Sequence, residues 1–361
     1  MGEEPAAAVT GLDQDFGAKG VKAVALSAAD GDRLVTVKAG KDGKIYASGY
    51  LAQAGDQAMA VARFDAGGSL DTSFSGDGVA TVNVAPGGKA AEIGRGLGLQ
   101  STGKVLVGGP MERAPTAAGD AAKDTDVAIS RFDANGELDP SFGSGGTARV
   151  DISTGMAISD TEYVNDVMWG LTVLPDDRVL AVTAGRAAAA GRTDRDLTLV
   201  MLTKDGAVDT TFGTAGRLVV DVAGGAESPR TALVQPDGKL VAAGYTRSAG
   251  ENPVVSPILV RFGQDGKLDP SFGTAGVASA QLLPAVSEAY DVAQQGDDFV
   301  ITGYGRATAD EKVDLLVARF TGEGAWDKGF GTEGLVRIDI AKEDDRGRDL
   351  TVLRDGRILV A

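Results

Sequence analysis

The chain has 361 residues, 43% hydrophobic and 24% charged. That composition belongs to a folded protein, and runs such as 167–174 are far too short to cross a bilayer. Histidine and cysteine are both absent, which excludes Ser-His-Asp and Cys-His nucleophiles, His- or Cys-ligated zinc, haem, iron–sulfur clusters and disulfides, and leaves carboxylate chemistry, cation binding through oxygen, or recognition. The net charge of -16 opposes nonspecific binding to nucleic acid or anionic membranes, both of which need a positive field.

The Met1-Gly-Glu-Glu-Pro5 start has no basic segment or apolar stretch, so no signal peptide is expected. A rough strand is predicted over Ala6 to Thr10, then a Leu-Asp-x-x-Phe-Gly pattern at Leu12 to Gly17, then a strand over Val21 to Leu26. The pattern returns at Leu138 to Gly143 and Leu268 to Gly273, with variants at Leu70 to Phe74, Val208 to Phe212 and Trp326 to Phe330. Its phenylalanines, at 16, 74, 142, 212, 272 and 330, are 58, 68, 70, 60 and 58 residues apart, the period of a supersecondary repeat.

Between these loops lie Asp42-Gly43-Lys44, Thr102-Gly103-Lys104, Asp176-Asp177-Arg178, Asp237-Gly238-Lys239, a degenerate Gly296-Asp297-Asp298, and Asp355-Gly356-Arg357. Asp-Gly between apolar runs signals a hairpin, here expected as a type I′ turn with both central residues at positive φ. In the fourth unit, Thr231 to Gln235 leads into the turn and Leu240 to Tyr245 leaves it. Ile258 to Phe262 and Val277 to Leu282 follow. Four short strands per roughly sixty residues describe a propeller blade better than a helical repeat or a sandwich, and no convincing amphipathic helix is present.

The run Gln235-Pro-Asp-Gly-Lys-Leu-Val-Ala-Ala-Gly244, followed by Val260-Arg-Phe262 and Asp265-Gly-Lys-Leu-Asp-Pro-Ser-Phe-Gly273, resembles the bacterial delta-60 repeat, a β-propeller family of mostly unassigned function. The resemblance covers nearly the whole chain in six copies. The third copy departs most, with Asp177 in place of the turn glycine and Met201-Leu202 in place of Arg-Phe. It implies an all-β, six-bladed propeller of four-stranded antiparallel blades forming one domain over 1–361. It also implies an extracellular, cell-surface or periplasmic setting.

With the strand before each turn innermost, the chain starts and ends in mid-blade. The expectation is a sixth blade shared between residues 1–28 and 335–361, where Asp349 to Leu353 and Ile358 to Ala361 are completed by the N-terminal strands; closure protects sheet edges. One face then carries the near-identical turns and Phe-Gly loops, where third-strand arginines pair with loop aspartates eight residues on (Arg63/Asp71, Arg131/Asp139, Arg261/Asp269, Arg319/Asp327). The other face carries variable loops, Pro110 to Asp126, Arg186 to Asp196, Thr246 to Pro257 and Gly305 to Asp314, the expected surface for a protein or polysaccharide partner.

Eleven residues before the central turn position stand Asp32, Glu92, Asp166, Glu227 and Asp345; in the fifth unit the count reaches Val286, with Glu288 two places on. Three residues beyond lie Val35, Arg95, Trp169, Arg230 and Arg348. Placed at the starts of innermost strands, these residues are expected to ring the channel mouth. Two readings stand open. The carboxylates bind a cation, calcium because only oxygen ligands are available, or orient a cationic or sugar ligand beside Trp169. Alternatively each caps its loop and pairs with Arg95, Arg230 or Arg348.

Asp133 to Asp139 lacks the bidentate Glu of a calcium loop and reads as an Asn-Gly turn. Gly94-Arg-Gly-Leu-Gly98 opens no helix and reads as tight packing near the axis. The resulting expectation is a monomeric, non-enzymatic recognition or scaffold propeller without nucleic-acid partner, transmembrane segment or required cofactor. The alternative is a calcium-type metal-dependent hydrolase or lyase with Glu92, Glu227 or Asp166 as base.

Overall fold

The computed structural model describes residues 16, 18–27, 31–53, 56–86, 92–112, 124–157, 163–188, 191–222, 224–250, 252–340 and 342–361. Every regular element among them is a β-strand. The first sheet holds β1 (Arg33–Ala39), β2 (Ile45–Gln53), β3 (Asp56–Phe64) and β4 (Val79–Val82). The second holds β5 (Gly96–Leu99), β6 (Val105–Glu112), β7 (Thr125–Phe132) and β8 (Thr147–Val150). A two-residue ladder of β9 (Met156–Ala157) and β10 (Tyr163–Val164) follows.

The third sheet holds β11 (Val167–Val173), β12 (Val179–Arg186), β13 (Arg195–Leu202) and β14 (Arg217–Val220). The fourth holds β15 (Ala226–Val234), β16 (Leu240–Arg247), β17 (Val255–Phe262) and β18 (Val277–Ser279). The fifth holds β19 (Val286–Gln295), β20 (Asp298–Arg306), β21 (Asp314–Phe320) and β22 (Leu335–Ile338), touching the fourth through the single parallel pair Val255 and Val286. The last is a two-stranded ladder of β23 (Leu350–Val352) and β24 (Ile358–Val360). Consecutive strands within each sheet are antiparallel, as short hairpin connections require.

Burial explains the strand sequences. In β17 the run Ile258-Leu259-Val260 has no exposed surface, because neighbouring sheets cover both of its faces, so the apolar run is continuous rather than alternating. β1 instead alternates exposed with half-buried residues.

The repeated phenylalanines join the sheets. Phe212 lies among Leu180 and Leu199 of the third sheet and Leu240 and Val260 of the fourth, and Phe74, Phe142 and Phe272 are equally inaccessible between their own pairs. Each such burial is worth about 1.5 to 3 kcal/mol. Over Phe74, Phe142, Phe272 and Phe330 lies the expected Arg–Asp pair, at 3.0 Å for Arg63–Asp71, 2.9 Å for Arg131–Asp139, 2.9 Å for Arg261–Asp269 and 2.8 Å for Arg319–Asp327, whereas at Phe212 Met201 stands in the place of the arginine. The same arginines stack on the phenylalanines, Arg63 lying 4.7 Å from the Phe74 centroid, and Arg63 Nη1 donates to Ala134 O of the next unit. The turn lysines reach the same carboxylates, as Lys44 does Asp71 at 3.0 Å. Donors from Ser73 and Lys44 hold the Asp71 carboxyl well below its ordinary range.

The hairpin turns form where expected but not as type I′. Gly43 is at φ 76° while Lys41 and Asp42 stay at negative φ, and Gly43 N donates to Gly40 O. This is a tight turn followed by a left-handed glycine, the five-residue loop that glycine permits. In the third unit Asp177 takes that conformation at φ 67°, and its carboxylate accepts the backbone N–H of Ser101 at 2.7 Å. The fifth hairpin differs again, with Gln295 pairing Asp298 across two residues.

At the N-terminus the rough strand expected over Ala6 to Thr10 lies outside the described residues. Val21 to Leu26 is not a strand; its only ladder contact among the described residues is an isolated bridge from Val21 to Ala18. Val24 and Leu26 pack instead on the first sheet, beside Ala47, Leu51 and Phe64.

Candidate functional site: an arginine–aromatic belt in a shared cavity

The first strands of the five four-stranded sheets, with the residues preceding β23, line one cavity of about 580 Å3. Glycines let these strands crowd together. A Cβ on Gly96 would come within 2.7 Å of Leu171, and one on Gly98 within 2.4 Å, as the tight-packing reading of that segment expected.

Four of the first strands carry a β-bulge at equivalent places. The register skips Val35 in β1, Trp169 in β11, Arg230 in β15 and Tyr290 in β19. A bulge turns its extra side chain out of the alternation, and here it turns that side chain to the cavity. Arg95 and Arg348, just before β5 and β23, supply the other two positions.

The result is a continuous stack. Arg95 lies 4.2 Å and Arg230 3.8 Å from the Trp169 ring, Arg230 4.4 Å and Arg348 4.2 Å from the Tyr290 ring. Cation–π contact holds the guanidinium planes against the rings. Arg230 is 7% exposed; its Nη2 donates to the hydroxyls of Tyr245 and Tyr290, whereas Nε and Nη1 have no partner. The indole N–H of Trp169 also has none.

The charge of this cavity opposes that of the chain. Arg33, Lys38, Arg95, Arg230 and Arg348 line it against two carboxylates, Asp291 and Asp349. Among the described residues, none of the four arginines forms an ion pair. Burial, and after it the charges of Arg230, Arg33 and Arg348, lower the affinity of Arg95 for its proton, although Tyr290 opposes them. Burial likewise lowers the Lys38 pKa against the pull of Asp291 and Asp349. Asp291 accepts the N–H of Leu350 at 2.9 Å, and burial raises its pKa.

The acidic column takes a different place. Glu92, Asp166 and Glu227 are 1%, 0% and 3% exposed and do not line the cavity. Glu92 accepts the N–H groups of Val84 and Ala85 at 3.0 and 2.7 Å. Asp166 accepts those of Ile152 and Ser153, and Asp345 that of Ile340. Asp32 accepts from Ala52 at 3.0 Å, and Glu227 from the Thr246 hydroxyl at 2.9 Å. These carboxylates therefore hold loops and strand starts, with no ion pair to Arg95, Arg230 or Arg348 among the described residues. In the fifth sheet Ser287 fills the column, its hydroxyl accepting from Leu283 N, while Glu288 stands beside the Tyr304 hydroxyl.

Burial carries the Asp166 carboxyl up to about 7 and that of Glu227 up to about 8. Three of the expected metal ligands fall in three-carboxylate groups at sheet junctions, Asp126/Asp151/Asp166, Asp196/Asp221/Glu227 and Asp314/Asp339/Asp345. Basic side chains already reach two of them: Arg192 contacts Asp196 at 3.1 Å and Asp221 at 2.6 Å, and Arg337 contacts Asp314.

Residues 40–74, 116–142 and 235–272 match a family described as a domain of unknown function (DUF5122) beta-propeller. Each stretch ends at a phenylalanine of the repeated loop. No curated protein matches. Solved structures of similar shape include an ulvan lyase of a polysaccharide lyase family, 12% identical over 81% of this chain and 68% of that one, with a TM-score of 0.47. An endo-arabinase from Bacteroides thetaiotaomicron is 11% identical over 86% and 95%, with a TM-score of 0.37. A levansucrase from B. megaterium is 13% identical over 90% and 83%, with a TM-score of 0.38. At these distances no activity transfers to this chain.

Proposed function

We propose that the chain is a single six-bladed β-propeller domain over 1–361 that recognises an anionic ligand in its channel. The observation that carries this reading is the stack Arg95–Trp169–Arg230–Tyr290–Arg348, whose buried central guanidinium keeps two nitrogens without partners. Unpaired buried donors beside uncompensated positive charge favour a ligand that brings acceptors and negative charge. Bulges on rigid strands fix these groups before any ligand arrives, which reduces the ordering cost of binding.

In this proposal β23 and β24 are the inner strands of a sixth blade completed by the N-terminal residues. Support comes from Phe16. Its ring would lie 2.8 Å from a Cβ on Gly68, as the Phe74 ring lies 3.0 Å from one on Gly136 and the Phe142 ring 3.0 Å from one on Gly206. Phe16 thus has the relation to the first sheet that Phe74, Phe142, Phe212 and Phe272 each have to the sheet after their own. In this reading the anion is carried by a larger molecule, a polysaccharide or a protein outside the cell, engaged through the variable loops. Isothermal titration with small anions tests the reading, and Arg230→Gln is expected to weaken whatever binding is found.

The three carboxylate groups favour a second reading, a metal-dependent hydrolase or lyase. A divalent ion that binds only the folded chain adds about 2.7 kcal/mol at a hundred times its dissociation constant. Melting with calcium and with chelator separates the two readings, since the belt contains no carboxylate and its binding is expected to ignore both additions.

A further inference from the structure

We propose that the group held at the belt is a tetrahedral oxyanion, a phosphate or sulfate ester, rather than a carboxylate. This rests on the anion-recognition reading above and names the ligand chemistry of the same cavity.

The arginines occupy alternate places in the stack. Legs of 4.2 and 3.8 Å through the Trp169 centroid put the Arg95 and Arg230 guanidinium carbons no more than about 8 Å apart. Legs of 4.4 and 4.2 Å through Tyr290 put Arg230 and Arg348 no more than about 9 Å apart. Three guanidinium groups donating to one phosphate or sulfate, each N–H···O about 2.8 Å, stand roughly 4 Å from its centre and therefore about 7 Å from one another. The bounds on the first two pairs admit that spacing, and Arg348 lines the same cavity as Arg95 and Arg230, near enough for its charge to act on Arg95.

The ring contacts also decide which donors remain. Aromatic groups cover guanidinium faces, so the N–H groups are left to point within their planes. A carboxylate has two oxygens in one plane and serves two such groups well. A tetrahedral oxyanion turns a separate oxygen to each of three. Its charge also fits a wall carrying five cations against two carboxylates, and burial and mutual repulsion within this group already lower the Arg95 pKa.

The test is isothermal titration of the whole protein with inorganic phosphate, inorganic sulfate, acetate and malonate, the last matching sulfate in charge. Phosphate or sulfate is expected to bind at least tenfold more tightly than either carboxylate. Arg95→Gln and Arg348→Gln are each expected to remove at least tenfold of that affinity with melting temperature unchanged; Arg348 is exposed, so its replacement leaves the core intact. Glucose 6-phosphate against glucose 6-sulfate then assigns the ester. Malonate binding as tightly as sulfate, with the same arginine dependence, overturns the oxyanion inference and leaves anion recognition standing. Failure of all four anions to bind overturns both.

Discussion

The guanidinium carbon of Arg230 lies 3.8 Å from the centroid of the Trp169 ring, a contact between equivalent bulges of neighbouring sheets. Loss of this one cation should therefore break the belt at its centre. Arg230→Gln is expected to weaken anion binding ten- to a hundredfold, since a charged hydrogen bond is worth about 1.5 to 3 kcal/mol. Arg230→Lys keeps the charge without the planar fork and should fall between the two. Equal affinity in all three proteins would remove Arg230 from the site.

The same contact offers an optical signal. The chain has 2 tryptophans, Trp169 in the belt and Trp326 in a Phe-Gly loop. Anion binding is expected to change the emission of Trp169 alone, so Trp169→Phe should abolish the change and Trp326→Phe should preserve it. A change that survives only with Trp326 present would place the ligand elsewhere.

The period and strand order were legible because a phenylalanine plug between sheets tolerates little variation, and the loop carrying it repeats almost intact. The Arg–Asp pairs followed from the same constancy. Turn type was not legible, since Asp-Gly suits both a type I′ turn and a left-handed glycine after a tight turn. The acids were found by counting, but sequence does not say on which side of a strand start a side chain turns. The bulge answers that, sending Trp169 and Arg230 to the cavity while Asp166 and Glu227 stay behind, and bulges have no reliable sequence mark. Tyr290 was missed for a related reason. The fifth hairpin closes over two residues instead of five, so counting back from its turn lands on Val286 when Ser287 holds the column.

Stability should fall with rising pH through the neutral range. Burial raises Glu227 from 4.5 to about 8 and Asp166 from 3.8 to about 7. The native state thus keeps protons that the unfolded chain has released, an advantage complete below about pH 4 and lost as pH approaches 8. Glu227→Gln keeps the acceptor for Thr246 and removes the titration. Its melting temperature is expected to overtake that of the unaltered protein by a few degrees near pH 8. Parallel curves for the two proteins would show that Glu227 is ionised in the native state.

Phe16 provides a test of the N-terminal seat. Phe142→Ala, in a fully buried plug, is expected to cost about 3 to 5 kcal/mol. Phe16 is half-buried, so Phe16→Ala should cost less, about 1 to 2 kcal/mol by the area it covers. Denaturant unfolding measures both, and an unaltered midpoint for Phe16→Ala would show that the first residues do not stabilise the first sheet.

Crystals of the protein soaked in bromide, with anomalous scattering recorded at the bromine edge, test the cationic cavity most directly. An anomalous peak is expected within hydrogen-bonding reach of Arg230 Nε or Nη1, among the side chains of Arg95, Trp169, Tyr290 and Arg348. Bromide found only on outer surfaces, with water alone beside Arg230, would contradict an anion site in the cavity.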